Sequence, residues 1–206
     1  MKILHLFHDL MNLYGEYANT LALQRAVSEK GRAAEIERLS VGDTFDFSDC
    51  DFIYIGSGTE KNQKVALEYL RSYTEQLRSA LDSGKIVLAT GNAFEMFGAR
   101  ITDRSGTVYE GLKLFDFTVT EGAERIVEDI TADFDGERII GFINKASQID
   151  GVKNPLFVIK QGVGNSDGSP NVEGIQAGGF YGTHIIGPLL IRNTGMAEYF
   201  ADRLIK

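Results

Sequence analysis

Hydrophobic and polar residues alternate along the first half of the chain with two different periods. Short apolar runs bounded by polar residues or glycine predict buried β-strands at residues 3–7, 34–39, 51–55 and 85–90. Longer segments with apolar residues three and four positions apart predict helices at residues 14–30, 61–82 and 93–97. Because strands and helices alternate in this way, we expect a three-layer α/β fold, with a mostly parallel central sheet and helices on both faces.

The second half of the chain has a different pattern. Short β-rich runs, interrupted by Gly or Asn, lie at residues 108–122, 137–147 and 155–165. A strand and turn follow at residues 178–193, and we expect a terminal helix over residues 194–206 with Thr194 as its N-cap. Since no linker, repeat or low-complexity tract interrupts the sequence, it predicts a single domain over residues 1–206.

Composition and charge narrow the classes of function. Lys and Arg number 21 against 29 Asp and Glu, and the net charge of −8 argues against binding to nucleic acid or to an anionic membrane. The opening MKILHLFHDL fits a buried strand better than a signal peptide, and no segment approaches 18 uninterrupted apolar residues. With one cysteine, Cys50, no intramolecular disulfide can form. We therefore expect a cytoplasmic protein.

Two glycine-rich turns follow predicted strands, at the edge of the sheet where ligands gather in α/β proteins. The first is GSGTE, residues 56–60, in which Gly56, Ser57 and Gly58 allow backbone N–H groups to approach a ligand closely. The second lies in KIVLATGNAFEMFG, residues 85–98, where a strand turns sharply into a helix. In many α/β enzymes this elbow carries the nucleophile, but here it carries Gly91, followed by Asn92.

Four other residues are candidates for chemistry or for structure. His184 follows a predicted strand and either lines the same cleft or is a half-buried structural histidine. Cys50 precedes the strand at residues 51–55, which places it about 15–20 Å from the Gly56 loop, so we interpret it as structural. His5 and His8 do not form a pair at helical metal-ligand spacing, so we expect neither a metal nor another cofactor.

Several segments, taken in chain order, resemble the motifs of one protein family. Residues 9–26, DLMNLYGEYANTLALQRA, are similar to its opening DLLNLYGDRGNILAL, and residues 181–193, YGTHIIGPLLIRN, are similar to its GTYLHGPLLPKN. Shorter matches are GSGTEKNQ at 56–63 (family GGGQDREQ), GFINKASQ at 141–148 (GFENHGGR) and GVGN at 162–165 (GYGN). Over nearly its whole length the chain thus resembles the class I glutamine amidotransferases of the CobB/CobQ-like branch.

This resemblance carries expectations about fold and partner. It implies a flavodoxin-like α/β domain of the class I glutamine amidotransferase type. Within the branch, the chain looks most like the GatD-type glutaminase subunits, which pair with a Mur-ligase-like (MurT-type) protein to amidate lipid II. The resemblance therefore implies a Mur-ligase-like partner and a role in peptidoglycan synthesis.

The departures from the family pattern fall on the catalytic positions. The family elbow reads CGGYQ where this chain has GNAFE, so the nucleophilic cysteine is replaced by Gly91. The family's catalytic histidine, immediately before Gly-Pro, is replaced by Ile186, and His184 stands at the family's Tyr position. The Arg that the family uses to grip its substrate is Gln148, and a nearby His is Lys145. The elbow therefore resembles an amidotransferase site without its nucleophile.

Three functions are compatible with these observations. The first is a non-catalytic amidotransferase-like subunit that binds a partner or a small-molecule ligand, with Gly56, Ser57, Gly58, Asn92 and Gln148 as candidate contacts. The second is an active glutaminase subunit that supplies ammonia to a Mur-ligase-like partner, in lipid II or cobyric-acid-type amidation. The third is a different enzyme that reuses the cleft, with Glu60, Glu95 and His184 as acid and base groups. The joint loss of Cys, His and Arg favours the first.

Overall fold

The computed structural model describes residues 1–205, and within this range the chain forms twelve strands and five α-helices. The strands are β1 (Lys2–Leu6), β2 (Glu35–Leu39), β3 (Phe52–Ile55), β4 (Ile86–Thr90), β5 (Arg100–Thr102), β6 (Val108–Glu110), β7 (Thr118–Phe134), β8 (Glu137–Asp150), β9 (Phe157–Gln161), β10 (Val172–Glu173), β11 (Ile175–Ala177) and β12 (Phe180–Thr183). The helices are α1 (Tyr17–Glu29), α2 (Glu60–Leu70), α3 (Thr74–Asp82), α4 (Leu189–Arg192) and α5 (Thr194–Ile205), with 3-10 helices at Arg71–Tyr73 and Gly91–Phe97.

The central sheet has the strand order β2-β1-β3-β4-β12-β11. The first five strands run parallel, and β11 pairs antiparallel with β12 at one edge. The parallel part follows the flavodoxin-like strand order. The chain starts in β1, adds β2 on one side of it, and then adds β3 and the later strands on the other side. This arrangement confirms the predicted α/β fold with a mostly parallel central sheet.

Helices cover both faces of this sheet, which gives the three predicted layers. In β3, the side chains of Ile53 and Ile55 join one apolar cluster, together with residues of α2 and α3. The alternating residues Phe52 and Tyr54 join a second cluster, together with residues of α1, α4 and α5. Because successive side chains of a strand point to opposite faces, the continuous apolar sequence FIYI suits a strand buried on both sides.

The sequence did not predict a second sheet, which is built from the second half of the chain. Its strands follow the order β10-β9-β7-β5-β6, and the long strand β8 pairs with β7. The antiparallel β7–β8 ladder runs from the pair Thr118 and Asp150 to the pair Phe134 and Glu137. A shift of register between Glu121 and Ile126 interrupts it and leaves a bulge over residues 122–125.

Three predicted helices differ in detail from the structure. The helix expected over residues 61–82 is divided into α2 and α3 by the 3-10 helix Arg71–Tyr73. The helix expected after the elbow is the 3-10 helix Gly91–Phe97, which includes the elbow itself. Thr194 is the first residue of α5 rather than its cap, and the last residue of that predicted helix, residue 206, lies outside the described range.

No helix within residues 1–205 is both long enough and apolar enough to cross a membrane.

Candidate functional site

A cleft of about 210 Å³ lies at the carboxyl ends of the parallel strands. The loop after β3 contributes Ser57 to Glu60, the 3-10 helix after β4 contributes Asn92 and Glu95, and His184 follows β12 directly. Residues 144–147 of β8 form the opposite wall. The two predicted glycine-rich turns and His184 therefore meet, as expected for the ends of neighbouring parallel strands.

The backbone of the elbow adopts a conformation that favours glycine over any residue with a side chain. Gly91 has φ +60°, in the left-handed region that favours glycine. A β-carbon on Gly91 would lie 2.5 Å from Cβ of Ser57, closer than such atoms approach in proteins. The side chain of Ser57 thus fills the space that a side chain on residue 91 would occupy.

The Gly58 turn is closed by the side chain of Asn92. The backbone N–H of Gly58 donates to Oδ1 of Asn92 at 2.9 Å, and Nδ2 of Asn92 donates to the carbonyl oxygen of Gly58 at 2.9 Å. Gln63 fixes Asn92 in turn, since its Nε2 donates to the Asn92 carbonyl oxygen at 2.6 Å. The N–H group that could have faced an oxyanion is therefore occupied by a carboxamide of the chain itself.

Glu95 and His184 form a buried pair at the base of the cleft. Nε2 of His184 lies 2.9 Å from Oε1 of Glu95, and both side chains are buried. Ser147 donates its hydroxyl to the same Glu95 oxygen, and Nε2 of Gln63 donates to Oε2 at 2.7 Å. The ring of Phe94 packs edge-on against His184 with 4.9 Å between ring centroids. Glu95 is thus held by three neighbouring groups.

Two more charged side chains are buried close to this pair. Oε1 of Glu173 accepts the backbone N–H of His184 at 2.7 Å and lies 3.6 Å from its Nδ1. Nζ of Lys145 donates to the carbonyl oxygens of Gly164 and Asn165 at 2.7 and 3.1 Å. Burial lowers the pKa of the Lys145 ammonium, although Glu173 and Glu95 act in the opposite direction. Lys145 is therefore tied to the chain's own carbonyl groups.

A buried polar network supports the loops from below. Oη of Tyr54 donates to Oε2 of Glu16 at 2.7 Å, and Glu16 also accepts a hydrogen bond from Thr90, which precedes the elbow. Burial raises the pKa of the Glu16 carboxyl, and the hydrogen bonds of Thr90 and Tyr54 lower it. A β-carbon on Gly56 would lie 2.7 Å from Cβ of Glu16. Close packing against this network explains the glycine at position 56.

Four of the predicted positions are not among the described residues that line the cleft: Gly56, Gly91, Gln148 and Ile186. Gln148 is not among the residues lining the cleft in the described part of the chain, and its Nε2 donates to Oδ2 of Asp167 at 2.9 Å. Ile186 also lies outside the lining: it is 1% exposed, and its N–H donates to the carbonyl oxygen of Phe142 at 3.0 Å. Cys50 is buried far from the cleft, before β3, and burial raises the pKa of its thiol to about 11.

At the mouth of the cleft, sequence reasoning named Glu60 but missed its partner Arg125. Arg125, from the bulge in β7, forms an ion pair with Glu60 at the start of α2. Its Nη1 donates to Oδ1 of Asn144 at 2.9 Å, and Nδ2 of Asn144 donates to Oη of Tyr14 at 2.8 Å. Hydrogen bonds from its own backbone and from Arg125 lower the pKa of Glu60 despite its partial burial. The one sequence signal was Gly122, since an isolated glycine in a strand often marks a bulge.

The arrangement limits the chemistry available in the cleft. Cys50, the one cysteine of the sequence, is remote from it, so a thiolate cannot attack a ligand there. The polar groups nearest to the elbow, on Ser57, Asn92 and Gly58, are bonded to one another. What the cleft offers a ligand is a set of hydroxyl, carboxylate and guanidinium groups around a small volume.

This fold is that of the glutamine amidotransferases. Residues 2–193 match the CobB/CobQ-like glutamine amidotransferase domain, and the chain belongs to that family. A solved structure described as a glutamine amidotransferase superposes with a TM-score of 0.61 and 13% identity, covering 98% of this chain and 99% of that one. At this level of identity, the structural likeness supports the fold alone.

Among its relatives is one enzyme subunit from two different bacteria. The chain is 26% identical over 204 residues to the lipid II isoglutaminyl synthase (glutamine-hydrolyzing) subunit GatD of Staphylococcus aureus (strain N315), with 98% of this chain and 84% of the relative covered. It is 28% identical over 212 residues to the subunit of the same name from Streptococcus pneumoniae (strain ATCC BAA-255 / R6), with 100% and 81% covered. The chain is therefore GatD-like over its whole length.

Proposed function

We propose that this chain is a GatD-like subunit without glutaminase activity, which acts by binding a partner or a ligand. The observation that carries the proposal is the elbow, where Gly91 has no side chain and Ser57 fills the adjoining space. Hydrolysis of glutamine by a covalent route needs a thiolate to attack the amide and a base to move protons. Gly91 and Ile186 stand at the positions of these two groups and can supply neither.

The proposed partner is a Mur-ligase-like protein of the MurT type. Similarity over almost the whole chain to the GatD subunit of lipid II isoglutaminyl synthase, in two organisms, supports an assembly of the same kind. A subunit that has lost its catalytic groups can still stabilise or regulate the enzyme on which it docks. The proposed role is therefore in peptidoglycan precursor synthesis, through binding rather than through ammonia supply.

The test is ammonia release from L-glutamine by the purified chain, alone and after co-expression with a Mur-ligase-like protein encoded by the same organism. The Staphylococcus aureus relative, assembled with its own partner subunit, is the positive control. Loss of a nucleophile or base costs on the order of a millionfold in comparable covalent hydrolases, so we expect no release above the buffer rate. Release at an ordinary enzymatic rate that disappears in His184→Ala would overturn the proposal.

A double variant makes the test sharper. Ser57→Gly with Gly91→Cys makes room for a thiol at the elbow, and alkylation with iodoacetamide shows whether the thiol is accessible. We expect an alkylatable thiol and still no ammonia, because Ile186 cannot carry a proton. Glutaminase activity in this variant would show that His184 serves as the base after all.

The Glu95–His184 pair favours a second candidate function, an acid–base enzyme that reuses the cleft. The 2.9 Å contact places a carboxylate and an imidazole together beside a cavity, and Glu60 lies at its mouth. This candidate is tested by incubating the chain with a metabolite extract and following changes by mass spectrometry. Conversion by the unmodified chain that is lost in both His184→Gln and Glu95→Gln would favour it over the binding subunit.

A further inference from the structure

Arg125 is held at the mouth of the cleft in a defined orientation. Among the described residues that line the cleft, it alone carries a guanidinium group. Asn144 accepts from its Nη1 at 2.9 Å and is itself fixed by Tyr14, so one side of the guanidinium is anchored. The other side, through Nη2, faces the carboxylate of Glu60. A planar guanidinium fixed in this way is suited to bind carboxylates.

The bond between Arg125 and Glu60 is open to exchange. The side chain of Arg125 is 37% exposed and that of Glu60 is 45% exposed, so water competes with the pair. Ion pairs with this degree of exposure contribute little to stability. A carboxylate that enters the cleft can therefore replace Glu60 on the guanidinium while Glu60 turns to solvent. The start of α2, where Glu60 lies, adds a favourable dipole for a negative group.

Arg125 lies on β7, the strand that pairs with the one that carries Gln148. Gln148, which replaces the family's substrate-gripping arginine, is turned towards Asp167. β7 pairs with β8 in this region, with Thr120 opposite Gln148, and the bulge that follows carries Arg125 to the cleft. The chain has thus lost a positive group at one position of the hairpin and presents another from the neighbouring strand.

The size and charge of the cleft restrict its ligand further. A volume of about 210 Å³ lies below the usual range of pockets for drug-sized ligands, about 300–1,000 Å³, so a ligand of few atoms fits best. Glu95 already accepts from Ser147 and Gln63 and contacts His184, so its charge is compensated locally. Glu121 is the one carboxyl on the cleft that opposes an anion, and burial raises its pKa.

We propose that Arg125 is a binding residue of this cleft and that the ligand is a small molecule with a carboxylate group, which displaces Glu60. This proposal deepens the binding role proposed above and rests on it. The ligand carboxylate lies against the guanidinium, and the remainder of the molecule extends into the cleft towards Ser57 and Ala146.

The test is isothermal titration of the full chain with glutarate, a five-carbon dicarboxylate, and with glutaramide, its uncharged counterpart. We expect saturable binding of glutarate and no measurable binding of glutaramide. Arg125→Met should weaken the binding of glutarate about 10- to 100-fold, the usual effect of losing a hydrogen bond to a charged group. Arg125→Lys, which keeps the charge but not the planar fork, should give a smaller loss.

Two variants of carboxyl side chains should strengthen the binding of glutarate rather than weaken it. Glu60→Gln removes the competing carboxylate, and we expect glutarate to bind up to about fivefold more tightly. Glu121→Gln removes the opposing charge and should also strengthen binding. The three side chains replaced in these four variants are all at least partly exposed, and circular dichroism checks that each variant folds.

Three results would overturn the proposal. They are glutarate binding that is absent, glutarate binding that Arg125→Met leaves unchanged, and saturable binding of 1,5-diaminopentane that Glu121→Gln abolishes. The last would identify the cleft as a site for cations. None of these results bears on glutamine hydrolysis. Ammonia release would overturn the proposed function, but the role of Arg125 would still be decided by the titration with glutarate.

Discussion

The carboxamide of Asn92 makes hydrogen bonds to both backbone polar groups of Gly58, at 2.9 Å in each direction. A side chain of the elbow thus forms the hydrogen bonds of the Gly58 N–H and carbonyl groups, which are then not available to a ligand. This contact joins the ends of two neighbouring strands and closes the turn from within.

Replacement of Asn92 should therefore destabilise the chain. In Asn92→Ala the Gly58 N–H and carbonyl groups lose their partner in a partly buried turn, and we expect a loss of about 1–3 kcal/mol in the free energy of unfolding. Urea denaturation measures it, with the exposed Asn154→Ala as the control, for which we expect a change within about 0.5 kcal/mol. Equal stability of the two variants would contradict this role of Asn92.

A side chain at position 91 should be costly, and part of the cost should depend on Ser57. Gly91→Ala forces an L-residue into the left-handed region and a β-carbon against Ser57, so we expect a loss of about 1–3 kcal/mol. In a Ser57→Gly background the steric part disappears and the loss should be smaller. A double-mutant cycle from urea denaturation gives the coupling. If the two changes are additive, Ser57 does not restrict the elbow.

His5 should make the protein less stable in mild acid. It is fully buried on β1, neither ring nitrogen has a hydrogen-bond partner among residues 1–205, and burial lowers its pKa from 6.5 to about 4. Between these two values the unfolded chain binds a proton that the folded chain does not, so stability falls as the pH falls from 6.5 to 4. For a shift of this size the loss is about 3 kcal/mol in total.

A variant without the ring nitrogens isolates this effect. Between pH 7 and pH 4.5, His5→Phe should gain about 2–3 kcal/mol relative to the unmodified chain, as measured by urea denaturation at both pH values. His5→Gln packs less well, so it should be less stable than His5→Phe by an amount that does not depend on pH. Relative to the unmodified chain, its free energy of unfolding should still rise by the same amount, about 2–3 kcal/mol, between pH 7 and pH 4.5. Parallel pH profiles for all three proteins would exclude His5 as the cause.

Cys50 should be unreactive in the folded protein. Its side chain is buried, Sγ lies 3.4 Å from the carbonyl oxygen of Phe47, and its pKa is raised to about 11 by burial. At pH 8 only about one molecule in a thousand then carries the thiolate that reacts. We expect mass spectrometry to find no modification by iodoacetamide in buffer and complete modification in 6 M guanidinium chloride, a concentration at which we expect the chain to unfold. Rapid labelling in buffer would contradict this burial.

The sequence predicted those features that depend on local pattern. The runs at β3 and β4 are almost continuously apolar because these strands are buried on both faces, and β1 shows the same pattern interrupted by His5; the pattern is visible without a structure. The elbow at Gly91 was visible too, because a glycine after a buried strand marks a sharp turn. The shared edge of the parallel strands then placed the two glycine-rich turns and His184 together.

Features that depend on pairing between distant strands were not predictable. The second sheet consists of runs broken by glycine, and nothing local fixes which run pairs with which. Arg125 reaches the cleft only because the bulge in β7 shifts the register after Glu121. Gln148 is turned away by its bond to Asp167, which comes from a loop that the sequence did not place. Both errors concern side-chain direction, which a change of one residue in register reverses.

The contact between Ser57 and the elbow also limits which substitutions position 91 tolerates. A cysteine introduced there by a single substitution meets the Ser57 side chain and lowers the stability of the fold. Replacement of Ser57 alone brings no nucleophile to the elbow, and Ile186 cannot carry a proton. Under the function proposed above, an evolutionary route to a glutaminase therefore passes through single substitutions that are either destabilising or without catalytic benefit.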